Sequence, residues 1–466
     1  MSELLDAVVI GGGPAGATTG TYLSKMGHRV AVLEKERFPR DHVGESLLPF
    51  CYKLFIELGT LDLMKANFVR KPGVRFIDSN GAQHTTWCFS HVIPDESFLS
   101  FQVARDKFDT LQLENTRRHG ATVMEETRVE SVDLSAPDGT VTVQAAGPGG
   151  ETHDFRARFL VDCSGRNTFL ASRIGAKKKF DELDRTALWT HWSGAPLMGG
   201  LEEGLSLIVY LGGEKKGWLW IFPLGPDRLT VGVVLNNSYL RAEKAKFVEQ
   251  GIEDWQMALY QQELNYSGFV QKLLASAHII QPLVIEGDYS YYTETKYGSN
   301  FAMVGDAASF IDPIFSSGIF LAMNGSRLVS SAIGQILSGQ ESWDSALPKA
   351  YTKIEGAYQM VFKLINFFYT AGTINFAQMG AAAELIHQQQ EDAMAVGHFL
   401  LAGDFFDRYD EYGKVIDKLK NPEVFKTWNQ QLKLKRKMFQ DKTCNMSLED
   451  AFHQLLPPVS ISREGI

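Results

Sequence analysis

The first 34 residues hold the pattern that most restricts how this chain can fold. A short apolar run at 6–10 is followed at once by glycines, then by a predicted helix over 14–26 and a second apolar run at 29–33. Strand, glycine turn, helix and strand in this order predict a βαβ unit, so we expect an α/β protein that begins with a Rossmann-like domain.

Gly11, Gly13 and Gly16 keep the G-x-G-x-x-G spacing within this unit. The first glycine permits a tight turn, the second lets a pyrophosphate approach the backbone, and the third lets helix pack on strand. Glu34, 18 residues beyond Gly16, is placed to accept hydrogen bonds from an adenosine ribose and to repel the 2′-phosphate of NADP. The alternative is a glycine-rich turn in an unrelated α/β domain. The unit predicts NAD or FAD without choosing between them.

No second G-x-G-x-x-G follows a strand, since the glycines at 147–150 are typical of a hairpin turn. An enzyme with dedicated domains for both FAD and a nicotinamide usually shows two such units. The single unit favours a flavoprotein whose electrons arrive from elsewhere.

Length, charge and cysteine content narrow the class of protein. A single core rarely exceeds about 250–300 residues, so 466 residues predict two or more lobes. The net charge of −9 disfavours nucleic acid as a partner. We find no apolar run of membrane-spanning length and no signal-peptide pattern, and the four scattered cysteines predict neither a metal site nor a disulfide framework. We therefore expect a cytoplasmic protein.

Further along, apolar patterns and turn signals predict the remaining elements. They are a helix at 105–118, a strand at 156–161, an antiparallel sheet at 186–235, a strand at 300–304, a helix at 317–337 and mainly helix from 343 onward.

Four segments together resemble the flavin monooxygenase superfamily related to p-hydroxybenzoate hydroxylase and geranylgeranyl reductase, and in particular its flavin-dependent halogenase branch. The segments are 11–16 (GGGPAG), 38–49 (FPRDHVGESLLP), 103–109 (VARDKFD) and 305–318 (GDAASFIDPIFSSG). The resemblance runs from residue 6 to about residue 337.

The resemblance implies a Rossmann-like FAD-binding domain interleaved with an antiparallel β-sheet substrate domain and followed by a helical C-terminal region. The expected divisions are 1–70, 105–175 and 285–338 for FAD, 71–104 and 176–284 for the sheet domain, and 339–466 for the helical region.

It also implies which residues contact FAD. Arg105 is expected to contact the cofactor, and Asp306 is expected to bind the ribityl chain. A guanidinium suits a diphosphate, and a carboxylate at a strand end suits sugar hydroxyls. The full expected set is Gly11, Gly13, Ala15, Gly16, Glu34, Lys35, Arg40, Ser46, Arg105, Val129, Asp306, Pro313, Gly318 and Ile319.

The loop after Asp306 is similar to the one that marks halogenases. Its spacing is Phe310-x-x-Pro313-x-x-Ser316-x-Gly318, and in that family the amides of the residues matching Ser317 and Gly318 are thought to hold the halide. A helix N-terminus is an anion site that needs no charged side chain. The alternative is that Ser316 and Ser317 simply cap the following helix.

Lys71 lies in a segment, FVRKPG, that resembles the one supplying the essential halogenase lysine. In that family reduced FAD reacts with oxygen to a C4a-hydroperoxide, halide attacks it, and the hypohalous acid travels to the lysine, which binds it or becomes a haloamine. The pKa of an ammonium falls on burial, so either role is available. Arg70 and Lys65 are nearby alternative cations.

Trp218, Trp220 and Pro223 match most of the halogenase motif W-x-W-x-I-P, with Phe222 in place of isoleucine. In the family the motif is proposed to keep the flavin hydroperoxide from hydroxylating substrate directly. Tryptophans two apart on a strand share a face, so an aromatic core stripe is the alternative interpretation.

We therefore predict an FADH2-dependent halogenase that uses O2 and chloride or bromide on an electron-rich aromatic. The GESLLP and KPG motifs resemble the branch that acts on phenols, pyrroles and carrier-tethered groups. The resemblance also implies a separate flavin reductase as a partner. Helical segments at 358–369 and 379–386 are candidates to cover the substrate side. The alternatives are a flavin hydroxylase or reductase and a non-catalytic flavin- or carrier-binding module. Candidate general bases are Glu45, His42, His91 and His191.

Overall fold

A computed structural model describes residues 3–82, 84–180, 183–197, 199–212, 215, 217–287, 290–369 and 393–421. The strands are β1 (Leu4–Ile10), β2 (Val30–Leu33), β3 (Val69–Lys71), β4 (Gly73–Ile77), β5 (His84–Cys88), β6 (Ser100–Gln102), β7 (Thr122–Met124), β8 (Arg128–Asp133), β9 (Val141–Ala146), β10 (Thr152–Asp162), β11 (Lys177–Lys179), β12 (Arg185–Ser193), β13 (Ser206–Tyr210), β14 (Trp218–Gly225), β15 (Arg228–Asn236), β16 (His278–Ile279), β17 (Val284–Glu286), β18 (Tyr291–Thr293), β19 (Phe301–Met303) and β20 (Ser309–Phe310).

The α-helices are α1 (Pro14–Lys25), α2 (Cys51–Leu58), α3 (Leu61–Asn67), α4 (Arg105–Arg118), α5 (Phe169–Arg173), α6 (Asn237–Glu249), α7 (Trp255–Tyr266), α8 (Gly268–Leu274), α9 (Gly318–Leu337), α10 (Trp343–Tyr369), α11 (Ala393–Ala402) and α12 (Tyr409–Leu419).

The first sheet contains the predicted βαβ unit. Its parallel strands run in the order β7-β2-β1-β10-β19, and α1 packs against α4 and α9. The N-terminal half of β10 continues as an antiparallel pair with β9, which in turn pairs with β8. The turn predicted at 147–150 therefore joins the two strands of a hairpin. The parallel strands and the helices packed on them confirm the α/β fold.

The second sheet is mostly antiparallel, in the order β16-β12-β15-β14-β13-β4-β5, with β17 also on β12 and one parallel pair, β13 with β4. Alternate residues of β14 face opposite sides. Leu219 and Ile221 pack in the apolar core shared with α7 and α8, whereas Trp218 and Trp220 face the core shared with the first sheet. The two tryptophans share a face, as predicted, and the sheet expected at 186–235 is confirmed.

A short ribbon of β3 and β6 lies beside β14. Lys71 stands directly opposite Ser100, and Gln102 pairs with Ser46 on the other side of β6. Opposed residues of a sheet point the same way, so Lys71, Ser100, Gln102 and Ser46 share one face of this ribbon.

The C-terminal region that the structure describes is helical, as predicted. α10 packs along α9, and the added Cβ of an alanine at Gly403, just after α11, would lie 3.2 Å from both Leu48 and Phe50. The end of α11 therefore packs against residues 48–50, which directly follow Ser46 and Leu47, the hydrogen-bond partners of Lys71. Segment 358–369 belongs to α10, whereas 379–386 lies outside the described residues.

Two further findings concern the described residues. Cys88 is disulfide-bonded, a feature that the scattered cysteines did not predict, whereas Cys51 and Cys163 are free. None of the described helices combines the length and apolar character needed to cross a lipid bilayer. The boundaries expected between the three regions stay a prediction.

Candidate active site

The glycine loop leaves a space in front of α1. A Cβ at Gly11, where φ is +98°, would lie 2.4 Å from the carbonyl oxygen of Cys163, and one at Gly16 would lie 1.8 Å from the carbonyl oxygen of Gly11. The nearest atom to a Cβ at Gly13 is Nη2 of Arg40, at 3.5 Å. The first and third glycines thus serve packing within the protein, and the second leaves room for a phosphate.

Glu34 is buried at the end of β2 and anchors the loop. Its Oε2 accepts the backbone N–H of Gly12 at 2.6 Å, and its Oε1 accepts that of Glu36 at 2.9 Å. Each carboxylate oxygen keeps a further lone pair for a ribose hydroxyl. Lys35 instead pairs with Glu36, at 3.4 Å, and Val129 packs in the apolar core of the first sheet.

Two arginines converge on Asp109 beside the loop. Arg105 binds it in bidentate fashion, with Nε and Nη2 each 2.8 Å from a carboxylate oxygen, and also donates to the carbonyl of Val43. Arg40 Nη1 forms an ion pair with the same carboxylate at 3.3 Å, although this buried nitrogen makes no hydrogen bond among the described residues. Arg40, next to Gly13, is therefore the cation best placed to bind a phosphate.

Asp306 follows β19, and its neighbour Gly305 packs between Ala15 and Ala322. The Asp306 carboxylate makes no hydrogen bond to any other described residue, and burial raises its pKa to about 6 against the opposing charges of Arg166 and Arg105. An unpartnered carboxylate at a strand end suits sugar hydroxyls. Together with the open space at Gly13 and the Arg40 guanidinium beside it, this carboxylate makes these residues a good fit to FAD.

The loop before α9 presents a helix start. Asp312 accepts the N–H of Ile314 at 3.1 Å, Ser316 adopts φ +55°, and Ser317 occupies the N-cap position. Ser317 occupies the cap position, but its hydroxyl makes no capping hydrogen bond, so side-chain capping by Ser317 is not found. A Cβ at Gly318 would meet nothing within 4 Å. The first N–H groups of this 20-residue helix consequently receive no hydrogen bond from the N-cap side chain. Pro313 and Ile319 flank this start.

Lys71 is only 2% exposed. Its Nζ donates to Ser46 Oγ at 2.8 Å and to the carbonyl of Leu47 at 3.0 Å, and it lies 5.4 Å from the centre of the Phe89 ring. Removal from water lowers its pKa to about 7. Ser46, for which the resemblance implies a contact with FAD, is a hydrogen-bond partner of Lys71 in the structure.

The alternative cations lie elsewhere. Arg70 donates to the carbonyl of Leu99 and pairs with Glu96, and Lys65 pairs with Glu96 at 2.8 Å. Among the described residues no carboxylate forms an ion pair with Lys71. A buried amine that titrates near neutrality is the state required of a nucleophilic lysine.

Trp218 and Trp220 lie side by side on β14, with ring centres 5.7 Å apart, and Phe222 stacks on Trp220 at 6.4 Å. Trp220 covers Gly232 of the next strand, since a Cβ there would lie 2.2 Å from its ring. Pro223 stands where the β14–β15 register shifts. Phenylalanine in place of isoleucine therefore extends one aromatic surface.

Two of the candidate bases contact each other. His191 Nε2 lies 2.7 Å from Glu45 Oε1, and Arg228 Nη2 lies 2.9 Å from His191 Nδ1. A guanidinium can only donate, so Nδ1 accepts and Nε2 donates to Glu45. Burial and nearby arginines lower the pKa of His42 to about 3, and the side chain of His91 lies outside the described set. The choice of general base stays open.

Comparison with known proteins decides the family. The FAD binding domain family matches residues 5–355. The flavin-dependent halogenase armH3 of Armillaria mellea is 33% identical over 364 residues, which are 76% of this chain and 72% of that protein. The chain belongs to the flavin-dependent halogenases.

Other relatives of this halogenase differ in their named substrates. A tryptophan 2-halogenase of Chondromyces crocatus is 29% identical over 82% of this chain and 71% of its own length. A 1H-pyrrole-2-carbonyl-[peptidyl-carrier protein] chlorinase of Pseudomonas fluorescens is 28% identical over 78% of this chain and 83% of its own length. The solved structure of the myxobacterial chondrochloren halogenase CndH matches with a TM-score of 0.70 and 27% identity, over 92% of this chain and 97% of that one.

In this halogenase, sequence patterns alone missed the residues that connect the motifs. Trp218 Nε1 donates to the Tyr369 hydroxyl at 2.7 Å, which donates to Asp312 at 2.8 Å, and the Arg185 guanidinium lies 3.5 Å from the centre of the Tyr369 ring. Burial raises the pKa of Asp312, and the charge of Arg185 opposes this. Tyr369 is 57 residues from Asp312, and no local signal marks the pair.

Proposed function

We propose that this FAD-dependent halogenase uses O2 and chloride or bromide to halogenate an electron-rich aromatic, a phenol or pyrrole that is free or tethered to a carrier protein. A separate flavin reductase supplies reduced FAD. The observation that carries the proposal is the burial of Lys71, which leaves an amine that titrates at about pH 7 with no carboxylate paired to it among the described residues. The named activities of the tryptophan and pyrrole relatives support an aromatic substrate.

The first and last segments of the FAD site hold opposite ends of the cofactor. The N-terminus of α1 and Arg40 bind the diphosphate beside Gly13, Glu34 accepts from the adenosine ribose, and Asp306 binds the ribityl hydroxyls. Bound in its reduced form, FAD supplies the two electrons that reduce O2 and so allow halide to be oxidised to hypohalous acid.

The start of α9 holds the halide. The backbone N–H groups of Ser317 and Gly318 bind the anion at the positive end of the helix dipole, where the N-cap hydroxyl makes no competing hydrogen bond to the helix. Trp218 and Trp220 keep the substrate away from the flavin. Hypohalous acid is then the oxidised species that reaches the substrate.

Lys71 then passes the halogen on. Its neutral amine attacks the halogen of hypohalous acid, a nitrogen–halogen bond forms, the oxygen–halogen bond breaks, and the released hydroxide takes the amine proton to give water. Attack by the aromatic ring on the haloamine forms the carbon–halogen bond and releases the ring proton, which restores the amine. The sum consumes hypohalous acid and yields the halogenated aromatic and water.

The direct test assays the holoenzyme with a flavin reductase, O2 and either halide on panels of phenols, pyrroles and carrier-bound pyrroles, with products identified by mass spectrometry. Hydroxylated products without halogen would establish the hydroxylase alternative. Bound FAD without any oxygen-dependent product would establish the non-catalytic module.

Lys71→Ala is expected to lower halogenation by at least about 100-fold while leaving FAD bound. Lys65→Ala is the matched control, because Lys65 is a lysine close in sequence whose partner is Glu96. Normal halogenation by Lys71→Ala would remove Lys71 from the mechanism. A crystal soaked in bromide tests the halide site independently, through an anomalous peak at the Ser317 and Gly318 amides.

A further inference from the structure

Lys71 is the first member of a chain of four polar side chains. Its Nζ donates to Ser46 Oγ at 2.8 Å, Ser46 Oγ lies 2.9 Å from Ser206 Oγ, and Gln102 Nε2 donates to Ser206 Oγ at 2.8 Å. Gln102 Nε2 is also 3.2 Å from the carbonyl oxygen of Gly204. All four side chains are buried, so water does not compete for these hydrogen bonds.

The chemistry of each group restricts the direction of the hydrogen bonds. The Gln102 Nε2 group is a hydrogen-bond donor and not an acceptor, so Ser206 Oγ must accept from it. A neutral Lys71 amine has two N–H bonds and one lone pair, and the contacts to Ser46 and Leu47 use both N–H bonds. The lone pair is then free, provided that the Ser46 hydroxyl does not turn and donate its own hydrogen into it.

We propose that Ser206, held by Gln102, is a positioning residue for Lys71: it accepts the hydrogen of the Ser46 hydroxyl and so leaves the lysine lone pair open to hypohalous acid. The inference rests on the proposed function, because it refines how Lys71 captures the halogen. Neither Ser206 nor Gln102 needs to touch substrate in this role.

The other neighbours of Lys71 do not set its hydrogen bonding. Among the described residues, Cys51 of α2 is the titratable group that interacts electrostatically with Lys71, but burial raises the pKa of its thiol to about 12, so the thiol carries no charge near pH 7. Phe89 offers only its ring face. The direction of the Ser46 hydroxyl is therefore the variable part of the site.

The test compares Ser206→Ala with Ser100→Ala in the FAD-bound enzyme. Ser100 is a matched control, since it stands opposite Lys71 in the same ribbon and its buried Oγ has no hydrogen-bond partner among the described residues. Two quantities are measured: the pKa of Lys71, by NMR of enzyme labelled with carbon-13 at the lysine ε-carbons, and the share of hypohalous acid that escapes to an added β-diketone trap.

Ser206→Ala is expected to lower the pKa of Lys71, because Ser46 then donates to the lone pair and stabilises the neutral amine. The escaping share should rise about fivefold, the effect of one hydrogen bond. Ser100→Ala should match the wild type in both measurements, and Ser206→Thr, which keeps a hydroxyl, should restore both.

An unchanged pKa in Ser206→Ala overturns the proposal even if more acid escapes, because Ser206 would then act only through packing. If Ser206→Ala does not fold, Ser206→Cys takes its place, since a thiol is a weak acceptor, and wild-type values there overturn the proposal equally. A wild-type enzyme that halogenates nothing refutes the proposed function, whereas the NMR comparison still tests the hydrogen-bond direction.

Discussion

The indole of Trp218 and the phenol of Tyr369 are joined by a hydrogen bond of 2.7 Å, and the same phenol donates to Asp312 at 2.8 Å. Through this pair the last residue of α10 connects the tryptophan strand to the loop that begins α9. Asp312 in turn holds the turn before Ser317 by accepting the N–H of Ile314. The C-terminal region thus takes part in shaping the proposed halide site.

Replacing Tyr369 with phenylalanine tests this connection. The change leaves the buried Trp218 N–H and an Asp312 oxygen without their partner, which should lower the free energy of unfolding by about 1–3 kcal/mol. The KM for halide should rise severalfold because the turn loosens. Tyr358→Phe is the control, since Tyr358 lies on the same helix and donates to the Ser309 carbonyl. An equal halide KM in both variants would contradict the role of Tyr369.

The buried amine of Lys71 predicts an unusual pH dependence of stability. Burial lowers its pKa from the ordinary 10.5 to about 7, so between these values the unfolded chain holds one proton more and the free energy of unfolding rises with pH. Below about pH 7 the folded protein carries the full cost of a buried charge, on the order of 5 kcal/mol.

Lys71→Met should therefore unfold at higher denaturant concentration than the wild type at about pH 6, and the difference should shrink towards about pH 9. Lys65→Met, at a partly exposed ion pair, should show no such trend. A stability difference that does not change with pH would mean that Lys71 titrates normally.

Two glycines of the first loop should respond oppositely to alanine. Gly13 has φ −68° and ψ −171°, which alanine adopts freely, and its Cβ meets no protein atom closer than 3.5 Å. Gly13→Ala should keep the stability of the FAD-free protein within about 1 kcal/mol and weaken FAD binding at least tenfold, about 1.4 kcal/mol.

Gly16→Ala places a methyl group 1.8 Å from a backbone oxygen and should lower the free energy of unfolding by about 1–3 kcal/mol. Denaturant unfolding and FAD titration of both variants separate the two effects. Tight FAD binding by Gly13→Ala would show that the phosphate does not occupy this space.

Gly232 leaves the space that Trp220 fills. A Cβ there would lie 2.2 Å from the indole, so Gly232→Ala should displace the ring, change the near-ultraviolet circular dichroism and cost about 1–3 kcal/mol. Gly225→Ala, on the adjacent strand with no atom within 4 Å of the added Cβ, should be neutral. If Trp220 shields the flavin, only the first variant should form hydroxylated product.

Local patterns predicted most of the elements well. The helix at 105–118 matches α4 residue for residue, and the glycine turn, α1 and β2 lie within two residues of expectation. The strand expected at 156–161 begins earlier, at Thr152, because residues 152–155 pair with β9. The extension depends on pairing with β9, and the polar residues at 152–154 give no local signal for a strand.

The partners of the site residues were not predictable in the same way. The Arg105 guanidinium is held by Asp109, a partner that the sequence did not indicate, and the expected contact of Arg105 with FAD stays a prediction. His191 meets Glu45 across 146 residues of sequence, and Lys71 meets Ser46 across 25. Such contacts depend on how the sheets and the ribbon pack, and propensity carries no information about them.

The sequence by itself determined the βαβ unit, its three glycines, the shared face of Trp218 and Trp220 and the helix start at Ser317 and Gly318, because each depends on spacing within a short segment. Only the tertiary structure decided that Lys71 is removed from water, that Ser46 and Ser206 stand beside it, and that Tyr369 joins Trp218 to Asp312. The burial of a side chain and the direction of its hydrogen bonds depend on how the chain packs. Burial lowers the pKa of Lys71 to about 7, which its motif alone does not determine.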